Sequence, residues 1–148
     1  MKNPLTDRAT ARRAFIGLLL GILVVSLGAS TQPLRFRDFY SAGVEFSAQT
    51  RALDGQRVVI SGFMAPPLKP DADFFVLTRL PMEYCPFCSS EAEWPDDIVF
   101  VRTRRTVEPI RFNRLLEVEG TLSLGVDVDE ETGFVSLMRL EDAVYRAR

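Results

Sequence analysis

Residues 115–124 read LLEVEGTLSL, and their reading decides the fold. Leu116, Val118, Leu122 and Leu124 alternate with Glu117, Glu119, Thr121 and Ser123, a period of two held over the whole run. Side chains of an extended chain point alternately to its two faces, so this is a strand with one face in a core and one in water. Gly120 marks a point where the strand must curl.

Upstream, residues 57–64 (RVVISGFM) repeat the pattern, with Gly62 in the same role. Three prolines in residues 65–72 (APPLKPDA) remove backbone donors and predict a loop. Residues 74–80 (FFVLTRL) predict a strand whose apolar start is buried on both faces, and residues 98–102 (IVFVR) a third strand. Residues 103–113 are irregular around Pro109, and residues 134–140 (FVSLMRL) form a fifth strand, with 141–148 frayed or pairing at an edge. Between the last two strands, Asp127, Asp129, Glu130 and Glu131 lack the twelve-residue ligand pattern of a calcium loop and predict a solvated hairpin turn. Ser47 is placed to cap a short helix reaching Leu53, which Asp54-Gly55 ends.

Five strands, two curling glycines and no long helix predict an all-β fold with minor α: a small five-stranded Greek-key barrel of the OB type. An N-terminal signal or anchor helix precedes it. The expected division is an export signal or membrane anchor over 1–30, a lead-in over 31–53 and the barrel over 54–148. At 148 residues with 47% hydrophobic and 26% charged side chains, the chain has the composition of one globular domain.

Residues 10–30 (TARRAFIGLLLGILVVSLGAS) join a basic flank to an uncharged apolar run over 14–29, the composition of an export signal. Arg12-Arg13 ahead of that run matches the pattern of a twin-arginine signal. Cleaved, it leaves the body in the periplasm. Retained, it holds the body at the outer face of the inner membrane, since Thr31 to Leu34 add no charge to a run a few residues short of the ~20 that span a bilayer. Lys2, Arg8, Arg12 and Arg13 against Asp7 leave the first thirty residues at +3 and the remainder of this −2 chain at −5. A body of that sign has no electrostatic reason to bind nucleic acid.

The two cysteines of the chain, Cys85 and Cys88, lie in PMEYCPFCSSEAEWPDD, between the second and third predicted strands. Three chemistries fit. The first is a short-range disulfide that stiffens the loop under Tyr84, Phe87 and Trp94, which the oxidising envelope favours. Trp94 also has a ring that stacks on a ligand or seals the barrel end. The second is a soft metal. With no His in the chain, zinc needs carboxylates such as Glu83, Glu91 or Glu93, whereas copper(I) is satisfied by two thiolates with Met82 or Met64 nearby. The third is thiol–disulfide exchange through Cys85 and Cys88, since Cys-Pro-Phe-Cys resembles the motif of glutaredoxin-like oxidoreductases. Trp94-Pro95 interrupts the long helix that such a site requires. Without His there is no Ser-His-Asp triad, and no Gly-rich phosphate loop is present, so no other catalytic residue stands out.

Taken together, GQRVVISGFMAPP, FFVLTRLPMEYCPFC, AEWPDDIVFV and LEVEGTLSL resemble a group of uncharacterised exported bacterial proteins with an OB-like domain. Several of these are encoded beside metal-type ABC transporters. The resemblance implies an exported accessory protein, metal handling at the cysteine loop and an envelope ABC transporter as partner. The expectation is a protein that works by binding, with the Cys85–Cys88 loop as its functional edge and a small thiol–disulfide protein as the alternative.

Overall fold

The computed structural model describes residues 32–83, 97–130 and 132–148. Among them run strands β1 (Gln32–Leu34), β2 (Tyr40–Ala42), β3 (Glu45–Phe46), β4 (Arg57–Met64), β5 (Phe74–Thr78), β6 (Ile98–Thr103), β7 (Leu115–Val128) and β8 (Val135–Ala147). A single helix, α1 (Ala48–Ala52), precedes β4. Ser47 caps it as expected, its hydroxyl accepting from Thr50 N at 3.1 Å.

β4 organises the sheet. One edge pairs antiparallel with β7 from Arg57↔Thr121 to Phe63↔Leu115. Its other edge is shared: Val58, Val59 and Ile60 take β1 in parallel, and Phe63 and Met64 take β5 antiparallel. β5 pairs antiparallel with β6, β6 lies parallel to β8, and β8 returns antiparallel along β7. The order is therefore β1-β4-β5-β6-β8-β7, and the β4–β7 pairing brings the two flanks of the sheet together. Alternate residues of β4 and β7 face one core: Val58, Ile60 and Met64 meet Leu116, Val118 and Leu122, with Phe75, Leu77, Val99, Val101, Met138 and Leu140 from the other strands.

This corrects the expected five-stranded, OB-like Greek-key barrel behind an N-terminal helix. The main sheet has six strands and is mixed, and β2 and β3 form a second, two-stranded sheet. Strand β1 is three residues, QPL, and it is too short and too proline-marked for any periodicity to reveal. What defines it is its parallel pairing with β4, and pairing is not encoded locally. The lead-in also supplies Leu34, Phe36 and Phe39 to the main core. The expected signal or anchor helix over 1–30 lies outside the described residues, and among those described no helix is long and apolar enough to cross a membrane.

All of β5 is buried, as its apolar start predicted. Phe75 and Leu77 face the main core. Phe74 and Val76 face outward with Ile98 and Phe100, and there Leu68 of the proline loop and Phe134 of the β7–β8 turn cover them. Both faces of β5 and of residues 98–101 in β6 are thus dry.

β8 extends well past the predicted strand, because residues 141–147 pair along β7 and do not fray. It carries a bulge: Glu119 and Thr121 of β7 oppose Val144 and Glu141, so three steps on β8 match two on β7, and Asp142 takes the left-handed backbone at φ 51°. Opposite the bulge sits Gly120, where a Cβ would lie 3.0 Å from the Glu141 carbonyl oxygen.

Candidate functional site

The residues that carry the cysteines follow β5 and precede β6, two strands buried over most of both faces. β5 and β6 pair in register to their last residues, Thr78↔Ile98. Beyond that pair the foot of the loop is tied. The buried Thr78 hydroxyl donates to Leu80 O at 2.7 Å, with Phe63 O a second acceptor at 3.2 Å. Arg79 N donates to Asp97 O at 3.0 Å, and the Arg79 guanidinium lies 4.0 Å from the Asp97 carboxylate. Whatever residues 80–96 do, they are presented from a fixed base.

Cys85, Cys88, Tyr84, Phe87, Trp94, Glu91 and Glu93 fall outside the described residues. Met82 is half-buried and Glu83 exposed at the start of the loop. Met64 is a core residue, 1% exposed, and its sulfur accepts from Ile110 N at 3.4 Å. It is committed to packing and to holding residue 110, so it leaves the set of candidate soft-metal ligands. Among the described residues, no three His, Cys, Asp or Glu side chains gather as a metal-holding group.

A second feature adjoins the foot of the loop. β6 pairs with β8 at Phe100↔Arg139, so the start of β6 runs beside the start of β8 and the β7–β8 hairpin. Phe134 stacks on Phe100 at 5.5 Å, Phe100 stacks on Phe74 at 4.9 Å, and the Arg102 guanidinium lies 5.3 Å from the centre of the Phe100 ring. Arg102 also pairs with Asp129 at 3.3 Å and with Glu141 at 3.6 Å. Burial pushes the Asp129 carboxyl up, but hydrogen bonds from Thr132 N and Oγ1 and the Arg102 charge outweigh it and hold it below the ordinary Asp range. Asp129 is therefore a hairpin clamp: the acidic segment turns the chain as expected, but this carboxylate, its side chain 15% exposed, is paired and not solvated.

Arg139, 7% exposed, occupies the root of the same hairpin. It donates to Gly125 O at 2.7 Å and Ser123 Oγ at 2.9 Å, and it stands 3.6 Å from Glu141 and 3.8 Å from Asp127. Its donors satisfy the backbone where β7 bulges at Gly125, φ +106°. The sequence reading gave neither Arg102 nor Arg139 a part in the hairpin. The available signal was an Arg inside each of two apolar runs, IVFVR and FVSLMRL, flanking an acidic turn.

At the other end of β6, a groove of about 690 Å³ runs between Thr103–Ile110 and Ala143–Tyr145. Its charges are largely used up internally. Arg104 pairs with Asp142 at 2.9 Å, and the Tyr145 hydroxyl accepts from Glu108 N at 2.8 Å and donates to Glu108 O at 3.0 Å. Burial raises the Tyr145 phenol above its ordinary range.

No protein-family model and no curated protein sequence matches the chain. Among solved structures it is similar to a DUF3299 family protein from Pseudomonas aeruginosa PAO1, with a TM-score of 0.53 and 15% identity over 80% of this chain and 97% of that one. At that identity the likeness is one of fold. It extends over nearly the whole of the neighbour.

Proposed function

We propose that this chain is an exported bacterial envelope protein that works by binding, with Cys85 and Cys88 as paired thiolate ligands for a soft metal ion. The leader over 10–30 supports export, and the Arg12-Arg13 pair supports the twin-arginine route. The observation that carries the reading is the fixed foot of the loop: two strands buried on both faces, closed by the Thr78–Leu80 and Arg79–Asp97 hydrogen bonds. A binding loop gains affinity when its ends are held and less entropy is lost on ligation.

The donor set selects the metal. Two thiolates at this spacing with the half-buried Met82 at the loop start suit copper(I), whereas a closed zinc site has no His to draw on. An envelope ABC transporter is the partner that the resemblance implies. Thiol–disulfide exchange is the weaker alternative. Its second cysteine belongs on a long helix, the residues between Cys88 and Ile98 are few, and the one described helix has five residues and lies elsewhere.

The test is metal content and cysteine state of the reduced full chain by native mass spectrometry. The expected result is one copper(I) retained per chain, lost in Cys85→Ser with Cys88→Ser while the circular dichroism spectrum is unchanged. A metal-free chain that turns over in a disulfide-reduction assay would establish the alternative. A metal-free, inert chain with Cys85 bonded to Cys88 would leave the pair as a loop brace.

A further inference from the structure

β6 and β8 run side by side only as far as Thr103↔Ala143, and β8 then continues from Val144 to Ala147 with β7 on one edge alone. The phase of that pairing fixes which backbone groups face away. Arg148 N donates to Leu115 O, so the N–H groups of Arg148, Arg146 and Val144 turn toward β7. Those of Tyr145 and Ala147, with their carbonyls, therefore turn to the opposite edge, where no strand among the described residues continues beyond β6. β8 ends in an open sheet edge.

That edge borders the groove of about 690 Å³ between residues 103–110 and 143–145. The far wall is fixed, because Glu108 N and O are both bonded to the Tyr145 hydroxyl. Pro109, Ile110, Ala143 and the 58% exposed Val144 supply the apolar lining. Charge selects the occupant. Within residues 103–114 and 142–148, Arg104, Arg105, Arg111, Arg114, Arg146 and Arg148 stand against Glu108 and Asp142, a net +4 on a body of −5. Asp142 takes Arg104, and Glu117 takes Arg146 and Arg148. Arg105 on the groove wall, and Arg111 next to the groove residue Ile110, pair with no carboxylate among the described residues.

We propose that this groove takes an extended, acidic segment of a partner protein, added as a strand to the Tyr145–Ala147 edge with its carboxylates on Arg105 and Arg111. Main-chain hydrogen bonds to the edge supply affinity, and the two free guanidinium groups select the sign of the partner. Apolar side chains of the segment rest on Pro109, Ile110 and Val144. A nucleic acid would also answer to the arginines, but it has no use for a strand edge and meets a body of −5. The site is independent of Cys85 and Cys88.

The test is fluorescence anisotropy of a labelled peptide of alternating Glu and Val with the full chain in non-ionic detergent, against the same peptide with Lys for Glu. The expected result is binding of the acidic peptide about tenfold or more tighter than the basic one. Ala147→Pro removes an edge N–H that β7 does not use, so the chain should melt as before while the acidic peptide binds about tenfold more weakly. Arg105→Glu with Arg111→Glu should reverse the preference between the two peptides. Slowed amide exchange at Tyr145 and Ala147 on peptide addition reads the edge in the unmutated chain, whatever the proline does to stability. No binding, equal binding of both peptides, or binding without that protection overturns the proposal. Tighter binding of a labelled oligothymidylate, lost in the same double Arg variant, assigns the groove to nucleic acid and also overturns it.

Discussion

Gly62 passes so close to Thr78 that a Cβ built on it would lie 2.6 Å from the Thr78 carbonyl oxygen, with Leu77 and Phe36 side-chain carbons at 3.0 Å. The neighbour is backbone, held by the Phe63↔Thr78 pair itself and by the Thr78 hydrogen bonds just after β5. Gly62→Ala therefore overpacks a site that cannot yield, at a cost of about 1–3 kcal/mol. Gly120→Ala meets the Glu141 carbonyl at 3.0 Å across a bulge that has some freedom to move, and it should cost less. Thermal denaturation of both variants checks the order. A larger loss at Gly120 would mean that the bulge, and not the β4–β5 crossing, is the tight point.

Val118 is fully buried in the main core between Ile60 and Tyr145 in register. Val118→Asp places an unpaired carboxylate there and should cost several kcal/mol, enough to unfold a domain of ordinary stability. Glu119, the next residue, turns outward to Arg57 at 3.1 Å with 42% of its side chain exposed. Glu119→Lys sets like charges side by side in water, which is worth about 1 kcal/mol or less. Chemical denaturation distinguishes them. Comparable losses would place the outer face of β7 in an interior.

Because the Asp129 carboxyl is held below its ordinary value in the folded chain, the contact it makes is fully stabilising above the unfolded-state pKa of about 3.9 and is lost as pH falls through the lower folded value. The hairpin should therefore loosen below about pH 4 while the main core remains. Amide exchange at Asp129, whose N donates to Phe134 O at 2.9 Å, reports the opening once corrected for the intrinsic rate. Asp129→Asn should remove the acid-dependent component. If the component persists unchanged, Asp129 is not its source.

In cells, the decisive comparison is the Cys85→Ser, Cys88→Ser double variant against a deletion at matched protein level. Closing so short a loop removes little chain entropy, less than the ~3 kcal/mol of a fifteen-residue ring, so the variant should fold. A deletion-like defect under copper stress alone agrees with metal binding. A defect under thiol oxidant alone points to exchange, and full complementation to a brace.

Much of the β architecture was legible because its cause is local. The alternation in RVVISGFM and LLEVEGTLSL follows from the two-residue repeat of an extended chain, and both strands form with those faces in the core. The Ser47 cap is a matter of four residues, and the double burial of β5 showed in its uninterrupted apolar start. Gly62 and Gly120 were marked as points where their strands curl, and the structure adds that a Cβ at either would crowd a backbone carbonyl.

What the amino-acid sequence determined by itself is therefore the identity and inward face of the long strands, the capped helix and the placement of Cys85 and Cys88 in a loop between strands. Tertiary structure decided the rest. β1 is a strand because β4 has a free edge beside it, and the six-stranded mixed order depends on the parallel pairing of β6 with β8, far apart in the chain. The roles of Arg102 and Arg139 depend on an acidic turn folding back onto them, and Met64 stopped being a candidate ligand once Ile110 N arrived at its sulfur. The physical reason is common to all of these. A strand's face is set by neighbours along the chain, but its partners, and the charges that meet across them, are set by contacts between residues distant in sequence, whose free energy exists only in the assembled sheet.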